Sequence, residues 1–339
     1  MEVKLLKSAI NSAAEIFAWE DTCPPMLYYQ TDTLLTYHPE HLPLCVTHHG
    51  PFHEDFARQF SDSSAGIAFG SQEKAQHLQI QQLAGINQLK TRCNAFVFQH
   101  SQIQGDYLKK CGVNPEKMFP LCPPIHSMRV VDYPKIIPKA LKEALESPGV
   151  LLFTAVARLD YFKNVDLLVE ASLLLLANGY LVTVLIAGDD EGDSDRRAKL
   201  FENIPIIYRR FFHVVPKLQK DTLYWLFEQS KQKGMFVCPS RYETLGITPL
   251  ECGLRGVTTL ISNSKQIEAG RFFPDQYCFN PRAIDLANAI KLFQKANLRE
   301  SGSQLQEHLE ERISEHRFRS DFLHAWRECS HWFEKSRNP

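Results

Sequence analysis

The run PSRYETLGITPLECGLRG, Pro239 to Gly256, places two glutamates, Glu243 and Glu251, among apolar residues and three glycines. A strand ending near Ser240, a loop holding Glu243 and Gly246, and a helix opening around Ile247 to Pro249 would set free backbone N–H groups at one edge of a sheet. Such a helix start suits a phosphate, because its unpaired N–H groups and its dipole both favour negative charge. A carboxylate beside it repels phosphate but accepts hydrogen bonds from hydroxyls further along the same ligand. Two carboxylates flanking a phosphate site fit a molecule with sugar hydroxyls on either side of its phosphates. A nucleotide sugar has that layout: ribose, diphosphate, hexose. The competing reading makes Glu243 a helix cap and turns Glu251 to solvent.

Upstream, TAVARLDYFKN ends an apolar strand in Arg158 and follows it with Lys163. Two cations at the carboxyl end of a neighbouring strand can neutralise a diphosphate, arginine through forked contacts and lysine as a point charge. In the first half, PLCVTHHGPFHEDF ends a strand at His48, His49 and Gly50. Alternation along a strand sends adjacent rings to opposite sides, so one of the two histidines faces any ligand there. Two metal readings compete: His49 with His53, and Asp193-x-Asp195 in the acidic run GDDEGDSD. The first lacks helix context or an acid of known geometry, and the second is also what an ordinary exposed acidic loop looks like. The expectation is a site without a metal.

These residues need elements to position them. From about residue 150, GVLLFTAVARL, YLVTVLIAGDD, IPIIYRRFFHVV, GMFVCPS and VTTLIS read as buried strands. NVDLLVEASLLLLANG, KDTLYWLFEQSKQKG and ITPLECGLRG read as helices between them, with Gly179 as a helix stop. Alternating strands and helices predict an α/β chain with a parallel sheet covered on both faces, whose ligands bind at the carboxyl ends of its strands. The first half is patterned less clearly: PMLYYQT, PLCVTHHG, AGIAFGS, NAFVFQ and MFPLCPP suggest short strands, and SQIQGDYLKKCG a helix. The proline-rich stretch from Leu121 to Gly149 is the linker candidate. The expected domains are 1–148, 149–300 and a helical segment 301–339. In that segment Phe318, Phe322, Trp326 and Trp332 lie near helical spacing, as a helix packed on a domain surface requires.

With 339 residues, 44% hydrophobic and 23% charged, the chain is long enough for two cores, and its net charge of −1 gives no reason to expect a nucleic acid partner. Nine scattered cysteines without a C-x-x-C pair argue for reduced thiols and a cytoplasmic location. No apolar run reaches the length of a membrane span, and neither a Walker A sequence nor G-x-G-x-x-G occurs.

ARLDYFKN together with PSRYETLGITPLECGLRGVTTLIS resembles the retaining nucleotide-sugar glycosyltransferases of family four, in particular the sucrose-phosphate synthase group. The shared pattern keeps Arg158, Leu159, Lys163, Pro239, Ser240, Glu243, Gly246, Leu250 and Glu251, while Ala157, Leu245 and Cys252 depart from it. The resemblance implies the GT-B fold, two Rossmann-like domains whose parallel sheets face each other across a cleft. It implies a metal-independent hexosyltransferase with no cofactor, a nucleotide-sugar donor (most readily a UDP-sugar) and a hydroxyl acceptor. By the same resemblance Arg158 and Lys163 take the diphosphate, Glu243 the transferred sugar, the backbone of Leu245, Gly246, Ile247 and Thr248 the phosphate and sugar, and Glu251 the ribose. His49, directly before Gly50, matches a family histidine near the reacting sugar. Family members have a longer first domain opening on a glycine-rich loop, whereas the first 27 residues here hold no glycine. The first domain is expected to be shortened, with a protein partner or self-association completing it. The alternative function is a non-catalytic subunit that binds a nucleotide sugar and acts with a partner glycosyltransferase.

Overall fold

A computed structural model of the chain describes residues 2–20, 26–125, 134, 136–189 and 194–337. Two compact units divide it: Met1–Pro123 with His316–Pro339, and Pro124–Glu315. Both are α/β units built on a parallel sheet, the class that the alternating pattern implies.

The first unit carries a four-stranded sheet, β1 (Leu27–Tyr29), β2 (Leu44–Val46), β3 (Ala95–Gln99) and β4 (Met118–Pro120), in the order β1-β2-β3-β4. Helices α1 (Glu2–Glu20), α2 (His53–Phe60), α3 (Asp62–Ala68), α4 (Gln72–Thr91) and α5 (Gln102–Lys110) accompany it. Leu44, Val46, Phe52, Leu89, Val97 and Tyr107 form one core cluster of this unit. The segment AGIAFGS is not a strand: residues 65–68 lie in α3, where Ala65 is fully buried and the Ser61 hydroxyl accepts the Ser64 N–H at the helix entry. A run so short carries no period that separates strand from helix.

The second unit carries β5 (Val150–Ala155), β6 (Val182–Ala187), β7 (Phe212–Val215), β8 (Gly234–Cys238), β9 (Thr258–Ser262) and β10 (Cys278–Phe279), ordered β10-β9-β8-β5-β6-β7. Its helices are α6 (Lys139–Glu146), α7 (Val165–Ala177), α8 (Ser194–Glu202), α9 (Lys220–Ser230), α10 (Ile247–Leu254), α11 (Ala283–Lys295) and α12 (Leu298–Glu310). Every residue of β5, β6, β8 and β9 is buried, which is why these strands read as unbroken apolar runs. Phe153, Phe227 and Phe236 interlock at the β5–β8 seam, with ring centroids 5.4 to 6.3 Å apart. Each buried phenylalanine contributes roughly 1.5–3 kcal/mol, so the strand ends that bear the candidate residues rest on a rigid base. The stretch IPIIYRRFFHVV is strand only over its last four residues. Ile206–Phe211 form a 3-10 turn behind Pro205, and Ile206 and Ile207 are exposed.

The last helix, α13 (Glu315–Arg337), packs on the first sheet: Ala325, Cys329, Phe318, Phe322 and Trp326 meet Cys45, Phe96 and Phe98. No described helix is long and apolar enough to cross a membrane.

Candidate active site

Strand order in the second sheet runs outward in both directions from the β5–β8 pair, so the crossovers diverge there. Open α/β sheets take their ligands at such a switch point, outside the carboxyl ends of the strands. The loops leaving β5 and β8 there carry Arg158, Lys163 and Glu243. Three bonds stitch the loops together. The Asn164 amide donates to Pro239 O at 3.1 Å, the Arg241 N–H to Phe162 O at 2.8 Å, and the Arg241 guanidinium to Tyr161 O at 3.0 Å. Asn164 itself adopts the left-handed conformation (φ 47°) that turns the chain into α7.

Lys163 Nζ donates to both oxygens of Glu243, at 2.7 and 2.9 Å, and the Ser240 hydroxyl donates to Glu243 Oε1 at 2.7 Å. The side chains are 23% and 13% exposed. Burial pulls the Lys163 pKa down, but the Glu243 charge and hydrogen bond outweigh it and leave the ammonium above its usual range. Asp160 Oδ1 accepts the N–H groups of Phe162 and Lys163, closing a tight turn under the lysine. Burial raises the Asp160 pKa against the opposing pull of Arg158 and Lys163. Arg158 is 70% exposed, with Nε 3.4 Å from Asp160 Oδ2. At the end of β6, buried Asp189 accepts the Leu159 N–H on Oδ1 at 2.7 Å and so fixes the residue beside Arg158.

Gly246 precedes α10 at φ 80°, and a Cβ there would sit 2.7 Å from Ala269 Cβ. The first bond within α10 runs from Leu250 N–H to Gly246 O, and no side chain caps the helix. The N–H groups of Ile247 and Thr248 therefore stand at the open helix start, and Pro249 behind them has none to satisfy. Leu245 and Thr248 are half-buried and Ile247 is exposed. Glu251, one turn on, does not face solvent. Lys220 Nζ donates to its two oxygens at 2.6 and 2.8 Å and the Tyr224 hydroxyl to Oε1 at 2.9 Å, leaving the carboxylate 7% exposed. Burial first, and then the Glu251 charge, raises the Tyr224 pKa; in Lys220 the Glu251 bond overrides a downward pull from burial. The Arg255 guanidinium also packs on the Tyr224 ring, 4.0 Å from its centroid.

His49 belongs to the first unit. It is exposed, with Nε2 2.6 Å from Gln30 Oε1, whereas His48 is buried, stacked on Phe52 with Nδ1 2.6 Å from Asp32 Oδ1. His53 is buried and its N–H donates to Gln82 Oε1. Asp193 lies outside the described residues, and among the described residues no three histidine, cysteine or carboxylate side chains gather as metal ligands. Of the residues singled out from the sequence, Lys163 and Glu243 are in contact, Arg158, residues 245–248 and Glu251 lie in the same unit, and His49 lies in the other. Lys220, Tyr224 and Asp189 are not among the residues singled out from the sequence, and Ser240 is there only as part of the shared pattern, with no role of its own. Only the four-residue spacing of Lys220 and Tyr224, which shares a face of α9, gave a signal.

The family model for glycosyl transferases group 1 matches residues 138–314, more than half of the chain. The chain belongs to the group 1 glycosyl transferases. No curated protein sequence matches it. Among solved structures, this group 1 glycosyl transferase is similar to HepE from Anabaena in complex with UDP and glucose (TM-score 0.68, 14% identity, covering 95% of this chain and 81% of that one). It is similar also to the sucrose-phosphate synthase from Thermosynechococcus elongatus (TM-score 0.66, 17% identity, 95% and 78%). A third is a UDP-forming trehalose-phosphate synthase from Burkholderia xenovorans (TM-score 0.61, 13% identity, 96% and 78%). At these identities the likeness is one of fold, and that fold is GT-B.

Proposed function

We propose that this group 1 glycosyl transferase is a retaining hexosyltransferase that moves a sugar from a nucleotide diphosphate donor to an acceptor hydroxyl. The observation that carries the reading is the Lys163 ammonium seated on Glu243 at the β5–β8 switch point, beside the uncapped start of α10. Lys163 has three N–H donors, and two engaged by Glu243 leave one for a diphosphate oxygen. Arg158, exposed and paired through Nε with Asp160, forks its terminal N–H groups onto the same diphosphate, Glu243 meets hydroxyls of the transferred sugar, and Glu251 meets those of the ribose. The N–H groups of Ile247 and Thr248 stabilise charge growing on the departing phosphate. In this front-face step the bond from the anomeric carbon to the diphosphate breaks. The acceptor oxygen bonds to the same face of that carbon, and its proton passes to the phosphate oxygen that left.

A UDP-sugar is the favoured donor, because HepE was solved with UDP, with UDP and glucose, and with UDP-glucose. The cations Arg158 and Lys163 meet the diphosphate without a metal, so transfer survives chelation. Thermal stabilisation by UDP-, GDP- and ADP-sugars followed by a transfer assay tests the reading. A donor that stabilises the fold and is consumed, with Lys163→Ala and Glu243→Ala nearly inactive yet folded, supports it; wild-type transfer in both variants sinks it. Binding without turnover would point to the non-catalytic subunit.

A further inference from the structure

In a parallel sheet, what leaves the carboxyl ends of the strands meets the ligand. In the first sheet these are Gln30 and Thr31 after β1, Thr47–Pro51 after β2, His100 and Ser101 after β3, and Leu121–Pro123 after β4. None of these residues is lysine, arginine, aspartate or glutamate. The sheet order puts Gln30, His49 and His100 on three adjacent strands, and the rings of His49 and His100 lie 6.2 Å apart.

Their hydrogen bonds set which atoms remain for a ligand. His100 Nδ1 lies 3.3 Å from the carbonyl of Cys122, which can only accept, so Nδ1 carries the proton and Nε2 is a bare lone pair. His49 donates from Nε2 to Gln30 Oε1, which frees His49 Nδ1 as an acceptor and the Gln30 amide N–H groups as donors. Burial holds His100 down to about 4, and partial desolvation followed by the neighbouring His48 lowers the exposed His49, both against the imidazolium form. Behind the edge, Gln104 donates to Gly50 O and Gln99 to His48 O, fixing the backbone that carries His49.

We propose that Gln30, His49 and His100 form the acceptor-binding edge and take an uncharged polyhydroxyl group, a glycoside or polyol, in preference to a sugar phosphate. A hydroxyl both donates and accepts, which matches two lone-pair nitrogens beside an amide donor. A phosphate needs fixed cations or several N–H donors, and imidazole lone pairs repel it. On the β4 side the Asp321 carboxylate accepts the Cys122 N–H at 2.9 Å.

The proposal rests on the glycosyltransferase reading for its reaction, but its test does not need turnover. The full chain with ¹⁵N-labelled histidine is titrated with methyl α-glucoside, maltose or glycerol, and separately with glucose 6-phosphate, with UDP present. His49→Gln and His100→Gln assign the imidazole signals. The uncharged compounds are expected to shift both signals saturably, at concentrations about tenfold below those that glucose 6-phosphate requires. Gln30→Ala, at an exposed position, is expected to weaken that effect about fivefold, the worth of one hydrogen bond, with stabilisation by UDP unchanged. Tighter binding of glucose 6-phosphate, or no response to any uncharged compound, overturns the proposal. Failure of UDP to stabilise the fold would count against the donor reading alone.

Discussion

Lys163, in the loop after β5, lays its ammonium across both carboxylate oxygens of Glu243, in the loop after β8, at 2.7 and 2.9 Å. Both residues are largely buried, so neither loses its partner cheaply. Removing Lys163 leaves a largely buried carboxylate with the Ser240 hydroxyl as its remaining side-chain donor. Lys163→Met is expected to lower stability by about 2 kcal/mol, below the full cost of breaking a buried pair because some solvent reaches it. Activity should fall further, with kcat/KM down ~10²–10³-fold as a charge is lost from the departing phosphate. Urea unfolding beside steady-state kinetics checks both, and the double variant Lys163→Met with Glu243→Gln should recover stability but not turnover.

Lys220 and Tyr224 hold Glu251 from one face of α9. If Glu251 meets the ribose, loosening it weakens donor binding more than chemistry. Tyr224→Phe is expected to raise the donor KM about fivefold and Lys220→Met about tenfold, with kcat within threefold of wild type. A fall in kcat with unchanged KM would remove Glu251 from the donor's ribose end.

Gly246 is constrained twice, by a positive φ and by Ala269 pressed against the place of a side chain. Gly246→Ala should cost about 1–3 kcal/mol and shift the open start of α10. The expected signature is a lower melting temperature together with weakened stabilisation by the donor.

Acid should loosen the first unit in a defined window. His38 is buried, donating from Nε2 to Leu42 O at 2.8 Å and accepting from the Tyr29 hydroxyl at 2.9 Å, and burial holds its pKa down to about 4. His100 is held near the same value, again by burial first. Unfolded histidine takes its proton near pH 6.5, so between 6.5 and 4 the unfolded chain binds more protons than the native one. Stability is therefore intact above about 6.5 and lost progressively as the pH falls to 4. Melting temperature measured across that range should drop in the wild type and drop less steeply in His38→Gln.

The second sheet was legible because β5, β6, β8 and β9 are covered on both faces, which writes itself as continuous apolar runs. The two misread segments are those where apolar residues serve another purpose. Ala65 buries one side of a short helix, and Ile206 and Ile207 face solvent from a 3-10 turn. Within the candidate site, types and spacing pick out Lys163, Glu243 and Glu251, but each carboxylate's partner comes from a distant element. Lys163 and Glu243 are 80 residues apart, and Lys220 and Glu251 are 31. Local pattern cannot encode such pairs, and Asp189 escaped for the same reason, since its role appears only once β5 and β6 lie side by side.

The return of α13 to the first sheet fixes an order of assembly during synthesis. The second unit is one uninterrupted stretch, Pro124–Glu315, and can complete its core as soon as that stretch has left the ribosome. The first unit starts earlier but must wait: Cys45, Phe96 and Phe98 stay uncovered until Phe318, Phe322 and Trp326 arrive. The first unit is thus expected to mature after the second, and until then the faces of Cys45, Phe96 and Phe98 are what it offers a chaperone.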